Sequence, residues 1–340
     1  MPKIAIDIGE RGDQPPSPLR AGNSGPSLVS HRHVSDARER NTIVNAMTVD
    51  VEDYFHVSAF ATVVDRADWG SHESRVERNT RTVLGFFDAR GIHGTFFMLG
   101  WVAERYPHLV RDIVAAGHEV ASHGCTHERV HALTPGAFRE DVRRSKKLLE
   151  DTGGVIVKGY RAPSFSVNGQ TFWALAILAA EEYKYSSSVY PVHHDHYGMP
   201  EAPRFPFQPL DGFVEFPVTT VRLFGGNLHC GGGGYFRLLP YRYSRWAMRQ
   251  INAKDGQPCM FYIHPWELDP GQPRVSGVSA RSRFRHYTNL GRMAGKLQAV
   301  LRDFTWDRAD RVLGLGSIDA QGKDAQGKRL KLMQGQVDAQ

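Results

Sequence analysis

Ser122-His123-Gly124-Cys125-Thr126-His127 sets two imidazoles four residues apart, just after the apolar run 109–120. On a helical turn residues i and i+4 share a face, and two imidazoles on one face can clasp a metal ion, as in zinc hydrolases. In a chain with 16 histidines the pair alone is weak, because two surface histidines read the same way. Three further segments strengthen it. Residues 43–51 are β-prone and end in the acids Asp50, Glu52 and Asp53. Strand alternation points Asp50 and Glu52 the same way and leaves Asp53 in the next turn. Crowded carboxylates repel unless a cation or an arginine compensates. A carboxylate with two histidines is a common catalytic zinc set. Arg161, in Gly159-Tyr160-Arg161-Ala162-Pro163-Ser164, follows an apolar stretch and can grip a carboxylate in a two-point fork. His264 ends the apolar run Met260-Phe261-Tyr262-Ile263, and Pro265 biases it toward extended backbone. An imidazole there can act as a general acid. Taken singly, these are also what a solvated acidic turn, a surface arginine and a structural histidine look like.

The elements that must carry these groups alternate. Strands are expected at 44–51, 93–99, 118–122, 155–160, 184–188, 213–217 and 258–264. Helices are expected at 73–90, 101–116, 135–151, 169–181, 240–254 and 287–302. Thr134-Pro135 reads as a cap followed by proline in the first turn. The alternation predicts a parallel sheet with helices outside, and seven such strands favour an α/β barrel. No GxGxxG fingerprint supports a dinucleotide fold. Reactive groups of parallel barrels gather at the C-terminal strand ends. Asp50, His123, Arg161 and His264 each fall there.

Four pieces in this order, TVDVED, SHGCTH, RAP and YIHPW, resemble the polysaccharide deacetylases, the NodB-homology enzymes of carbohydrate esterase family 4. The likeness covers about residues 45–270. DVEDYFHV, GGGGYFRLLPY and YIHPWELDP are similar to a subgroup from exopolysaccharide loci associated with PEP-CTERM sorting, which also shares a C-terminal extension like RFRHYTNL. With that extension the match reaches about residue 312. The resemblance implies a distorted (β/α)7 barrel over 43–272 and a C-terminal extension, 273–313, packed on it. It implies a metal-dependent hydrolase that removes N-acetyl groups from a polysaccharide, in exopolysaccharide biosynthesis. His123, His127 and an acid would hold a divalent ion, zinc before cobalt or nickel. Asp50 would be the general base, His264 the general acid, and Arg161 the residue that orients Asp50. A backbone N–H near the RxP piece, from Tyr160 or Ser164, would face the oxyanion, with Pro163 shaping the turn.

Two departures from the family pattern stand out. Val51 replaces the second of two adjacent aspartates, so the acidic ligand is Glu52 or Asp53; alternation favours Glu52. Tyr185-Ser186-Ser187-Ser188 stands where the subgroup carries Asp-Ser-Ser. Trp266 suits a sugar-stacking wall, although a core tryptophan is the commoner reading of such a residue. His193-His194-Asp195-His196 looks like a second metal cluster, but adjacent loop histidines converge poorly. A ureide hydrolase like the allantoinases, or a polysaccharide-binding barrel without catalysis, are the alternatives. Retained base and acid argue against the second.

Composition limits the rest. The chain has 340 residues, 41% hydrophobic and 23% charged, enough for one large domain with extensions. Its net charge of +6 comes without a recognition motif, so nucleic acid is not expected as a partner; the expected partner is a polysaccharide or oligosaccharide. Three scattered cysteines argue against a disulfide framework. No signal peptide or apolar run of membrane-spanning length is seen, which points to the cytoplasm or to a start codon placed too far upstream. Residues 1–42 read as disordered. Residues 314–340, with the repeated DAQGK, read as a flexible tail.

Overall fold

The first strand, β1 (Val44–Val51), alternates two kinds of side chain. Ala46 joins an apolar cluster with Phe97, Ala121 and Met260, while Met47, Val49 and Val51 pack in the larger core beneath the helices. Thr48 and Asp50 share the face of Ala46, so the same alternation that fills the core puts Asp50 inside the curl of the sheet. This computed structural model describes residues 43–194 and 197–315. The readings of 1–42 as disordered and of 316–340 as a tail lie outside the described residues, as do Asp195 and His196 of the histidine-rich loop.

After β1 come β2 (Thr95–Met98), β3 (Glu119–Ser122), β4 (Gly159–Tyr160), β5 (Tyr185–Ser186), β6 (Phe207–Leu210) and β7 (Phe213–Glu215). The hairpin β8 (Thr220–Leu223) and β9 (Gly226–His229) forms a sheet of its own, followed by β10 (Met260–Ile263) and β11 (Thr305–Asp307). The main sheet runs β10-β1-β2-β3-β4-β5-β7-β6. The first seven are parallel, and β6 returns antiparallel on β7. β11 pairs with the first residues of β1, Val44 against Thr305. Among the described strands no ladder joins β10 to β6, so the α/β sheet curls as a half-barrel and does not close as a ring. The free edge of β10 is met by a bridge from Gly232 to Tyr262. Gly232 has φ 122°, and a Cβ there would lie 2.0 Å from the Tyr262 carbonyl oxygen, so only glycine lets this segment come so close.

The helices are α1 (Val76–Asp88), α2 (Gly100–Arg105), α3 (Pro107–Ala115), α4 (Pro135–Gly153), α5 (Trp173–Ala180), α6 (Gly233–Leu238), α7 (Tyr241–Gln250), α8 (Ala280–Tyr287), α9 (Leu290–Asp303) and α10 (Ala309–Val312). Thr134 caps α4 by accepting from the Ala137 N–H at 3.2 Å. The single helix expected at 101–116 is two, because Pro107 starts a new helix and forces Tyr106 out of helical backbone. The helix expected at 287–302 is also preceded by another, α8, with Asn289 at φ 59° between α8 and α9. The strand expected at 155–160 keeps only its last two residues, and Ile156 is 76% exposed. No helix among the described residues is long and apolar enough to cross a membrane.

Candidate active site

Asp50, Glu52, His123, Arg161 and His264 gather at the C-terminal edge of the curl. Asp50 ends β1 with Glu52 just beyond it, His123 follows β3, Arg161 follows β4, and His264 follows β10. These strands are neighbours or near neighbours, so residues up to 214 positions apart meet there.

The two histidines do not meet on a helical turn, as their spacing suggested. Residues 123–127 form a loop in which Gly124 (φ 72°) and His127 (φ 52°) are left-handed, and the chain doubles back. A Cβ on Gly124 would lie 2.8 Å from the Asp141 carboxylate, which also accepts from the Cys125 N–H at 3.1 Å. The imidazole rings end 5.2 Å apart.

Glu52, His123 and His127 offer three ligand atoms within 4.8 Å of one another, all buried. The His123 Nδ1 lies 2.8 Å from the Arg161 carbonyl oxygen, which can only accept, so this nitrogen carries the proton and Nε2 keeps its lone pair. Burial, opposed by the charges of Asp50 and Glu52, lowers the His123 pKa to about 4, so the ring is neutral. His127 Nε2 and Glu52 Oε2 approach to 2.7 Å, yet Glu52 Oε2 accepts no aligned hydrogen bond. A buried carboxylate oxygen, orphaned beside two imidazole nitrogens, is the donor set of a divalent cation, and the residues fit one. Burial would raise Glu52; the imidazoles of His127, His264 and His123 overcome it and hold the carboxyl well below its ordinary range.

Asp53 stands apart from this group. Its Oδ2 accepts from the N–H of Arg75 (2.7 Å) and of Val76 (3.0 Å) and from the Ser74 hydroxyl (2.8 Å), and its Oδ1 accepts from the Tyr54 N–H at 3.0 Å. It holds the start of α1, whose first N–H groups have no partner inside the helix. With both oxygens so engaged, the geometry puts Glu52 rather than Asp53 with the histidines. Asp53→Ala is therefore expected to cost about 1–2 kcal/mol of stability while leaving zinc affinity, measured by titration calorimetry, within a fewfold of wild type. A complete loss of zinc binding in a folded Asp53→Ala protein would return Asp53 to the ligand set.

Asp50 is gripped by Arg161, with Oδ1 at 2.5 Å from Nη1. Arg161 is fully buried, and its other N–H groups reach the Thr48 hydroxyl (2.9 Å), the Ser187 carbonyl (3.2 Å) and hydroxyl (3.0 Å), and Met260 Sδ (3.0 Å). Asp50 Oδ2 faces His264 Nε2 at 3.8 Å, and Glu52 Oε1 lies 3.5 Å from the same nitrogen. On its far side, His264 Nδ1 is 3.4 Å from Glu267 Oε2. Burial alone would lower His264; its contact with Glu267 and the charges of Glu52, Glu267 and Asp50 outweigh it and raise the pKa to about 9. His264 thus carries a proton at neutral pH.

The remaining sequence candidates fall in different places. Tyr160, on the opposite side of β4 from Arg161, packs its ring against Phe138 and Tyr183 under the helices, so that ring cannot meet a substrate at the strand ends. Pro163 is buried at the start of a short 3-10 turn. Ser164 has φ 55°, and its hydroxyl is 2.7 Å from that of Ser58. Trp266 is 4% exposed, stacked between His264 (5.2 Å) and His286 (4.2 Å), with its indole N–H 3.4 Å from Glu52 Oε1. With both ring faces covered, it supports Glu52 and His264 and offers no wall to a sugar. Sequence reading missed Thr48, Ser187, Glu267 and Arg237. Glu267, three residues after a candidate acid, was the one signal available. A cleft of about 230 Å³ opens beside His127, lined among others by Phe55, Arg66, Trp69 and Arg129.

Residues 64–184 match the polysaccharide deacetylase family, and residues 187–314 match a domain of unknown function, DUF3473. The boundary falls at β5, so Arg161 lies in the first match while Ser187, His264 and Glu267 lie in the second. A peptidoglycan deacetylase of Helicobacter pylori is 30% identical over 113 residues, 33% of this chain and 37% of that protein. A peptidoglycan-N-acetylglucosamine deacetylase of Bacillus cereus is 26% identical over 96 residues, 28% of this chain and 35% of its own length. The chain thus spans little more than a third of these curated relatives. A crystal structure from Mycobacterium smegmatis, assigned as a polysaccharide deacetylase, superposes with a TM-score of 0.50 at 22% identity, over 86% of this chain and 94% of that one, and shares the fold. Residues 64–184 thus carry a polysaccharide deacetylase domain, of the NodB-homology type of carbohydrate esterase family 4.

Proposed function

We propose that this protein is a metal-dependent hydrolase that removes N-acetyl groups from a polysaccharide. The observation that carries the reading is one edge where Asp50 and His264 lie beside the Glu52–His123–His127 group. A divalent cation held by those three residues, zinc before cobalt or nickel, would supply a Lewis acid for the acetyl carbonyl. Asp50, steadied by Arg161, takes the proton of the attacking water. His264, on the other side, gives its proton to the departing sugar nitrogen. The left-handed turn at Ser164 brings backbone toward the strand ends, where an N–H would face the developing oxyanion. The cleft beside His127 would take the neighbouring stretch of glycan.

Similarity of DVEDYFHV, GGGGYFRLLPY and YIHPWELDP to the PEP-CTERM-associated subgroup supports an exopolysaccharide as the polymer. Acetate release tests the reading. Zinc-loaded protein is expected to free acetate from N-acetylglucosamine oligomers, peptidoglycan or N-acetylated exopolysaccharide, and to leave allantoin unopened. Ureide hydrolysis without acetate release would favour the allantoinase-like alternative. Glycan binding with neither activity would favour a barrel that only binds.

A further inference from the structure

The residue that joins the C-terminal segment to the site is Arg237, at the end of α6 and 3% exposed. Its Nη1 donates to the carbonyls of His286 (2.7 Å) and Thr288 (3.0 Å), and its Nη2 to that of Arg285 (3.0 Å). These are the last carbonyls of α8 and the turn beyond it, groups that no further helical N–H can satisfy, and a cation is favoured at that end. The guanidinium is therefore fixed by a helix of the extension. Its remaining edge, Nε, donates to Glu267 Oε1 at 2.7 Å. The other oxygen, Oε2, accepts from the His264 backbone N–H at 3.0 Å and stands 3.4 Å from His264 Nδ1. The same extension supplies His286, whose ring covers Trp266, and Trp266 covers His264.

We propose that Arg237 is a positioning residue for His264, and that a function of the DUF3473 half is to set that imidazole through the chain α8 carbonyls–Arg237–Glu267–His264. The inference rests on reading His264 as the proton donor. It makes the extension part of the catalytic apparatus, because the carboxylate that stands beside the ring's Nδ1 is held in place by backbone some twenty residues further along the chain. Four charge-assisted bonds in fixed planar geometry hold the guanidinium, a task an ammonium cannot repeat.

Three full-length variants test it: Arg237→Lys, Glu267→Gln, and the double Arg237→Met/Glu267→Gln, each followed by kcat and KM for acetate release, by Tm, and by the ring ¹⁵N signals of His264, identified by their loss in His264→Gln. Arg237→Lys is expected to lower kcat at least tenfold with KM within twofold, and to move the ¹⁵N signals. In the double variant both buried charges go together, so Tm should recover toward wild type. Its kcat should stay as low as in the single variants. A structural ion pair would instead return kcat along with Tm, and that result would overturn the proposal, as would Arg237→Lys with unmoved ring signals. Should the wild-type protein release no acetate from any substrate, the function proposed above fails, and the ring signals alone still decide whether Arg237 sets His264.

Discussion

Asp50→Asn is expected to lower kcat for acetate release by about 10²–10⁴-fold, the usual contribution of one proton-transfer partner. Asparagine keeps an oxygen for Arg161 Nη1, the one guanidinium nitrogen that meets Asp50, but cannot take a proton from water. The size of the loss depends on what else changes. Arg161 is fully buried, and stripping a partner from a buried charge can cost about 3–5 kcal/mol. Here the guanidinium retains Thr48, Ser187 and Met260 as partners, and the asparagine oxygen still accepts. The variant should therefore fold, with a smaller loss of stability, and bind zinc, because Asp50 lies outside the Glu52–His123–His127 group. The three measurements together separate roles: activity gone, fold and zinc affinity kept. A folded, zinc-binding Asp50→Asn protein with full activity would remove Asp50 as the base.

That Asp50 could be picked from sequence at all follows from β1. Its apolar residues recur with period two and then stop at acids, so the strand, its inner face and the identity of the groups at its end were all legible. The order of motifs did the same for His123, Arg161 and His264. What failed was geometry that alternation does not encode. The four-residue spacing of the histidines matched a helix by arithmetic, whereas two left-handed residues produce the same meeting in a loop. Between Glu52 and Asp53, alternation favoured the right residue but could not show that Asp53 is occupied by the first N–H groups of α1. Trp266 carried a polar and an aromatic face into an ambiguous motif, and only packing decides which neighbour covers it. Arg237 lay in a stretch rich in arginine, thirty residues from Glu267, and nothing in its local pattern marked it as buried. The curled α/β sheet itself was legible in the strand–helix alternation; how its two edges end, in a glycine-rich crossing beside β10 and an antiparallel return at β6, was not.

The metal group permits a test that does not depend on turnover. With Glu52 and His127 at 2.7 Å and a Glu52 oxygen lacking an aligned donor, the folded chain holds a ready site that the unfolded chain lacks. A ligand at about a hundredfold over its Kd stabilises the folded state by about 2.7 kcal/mol. For a domain of this size that is a rise in Tm of roughly 5 °C when zinc is added to chelator-treated protein. Glu52→Gln removes the anionic ligand and should abolish most of the rise. Asp53→Ala should start from a lower Tm and keep the full zinc increment, since its carboxylate serves α1. Chelation should also remove acetate release, and zinc should restore it in the wild type and in Asp53→Ala but not in Glu52→Gln. The contrast between neighbouring acids is the informative part. A general loss of stability would depress both baselines alike, and only a ligand change alters the increment. A Glu52→Gln protein that gains as much from zinc as the wild type would place the cation elsewhere and leave Asp50 and His264 without a centre to flank.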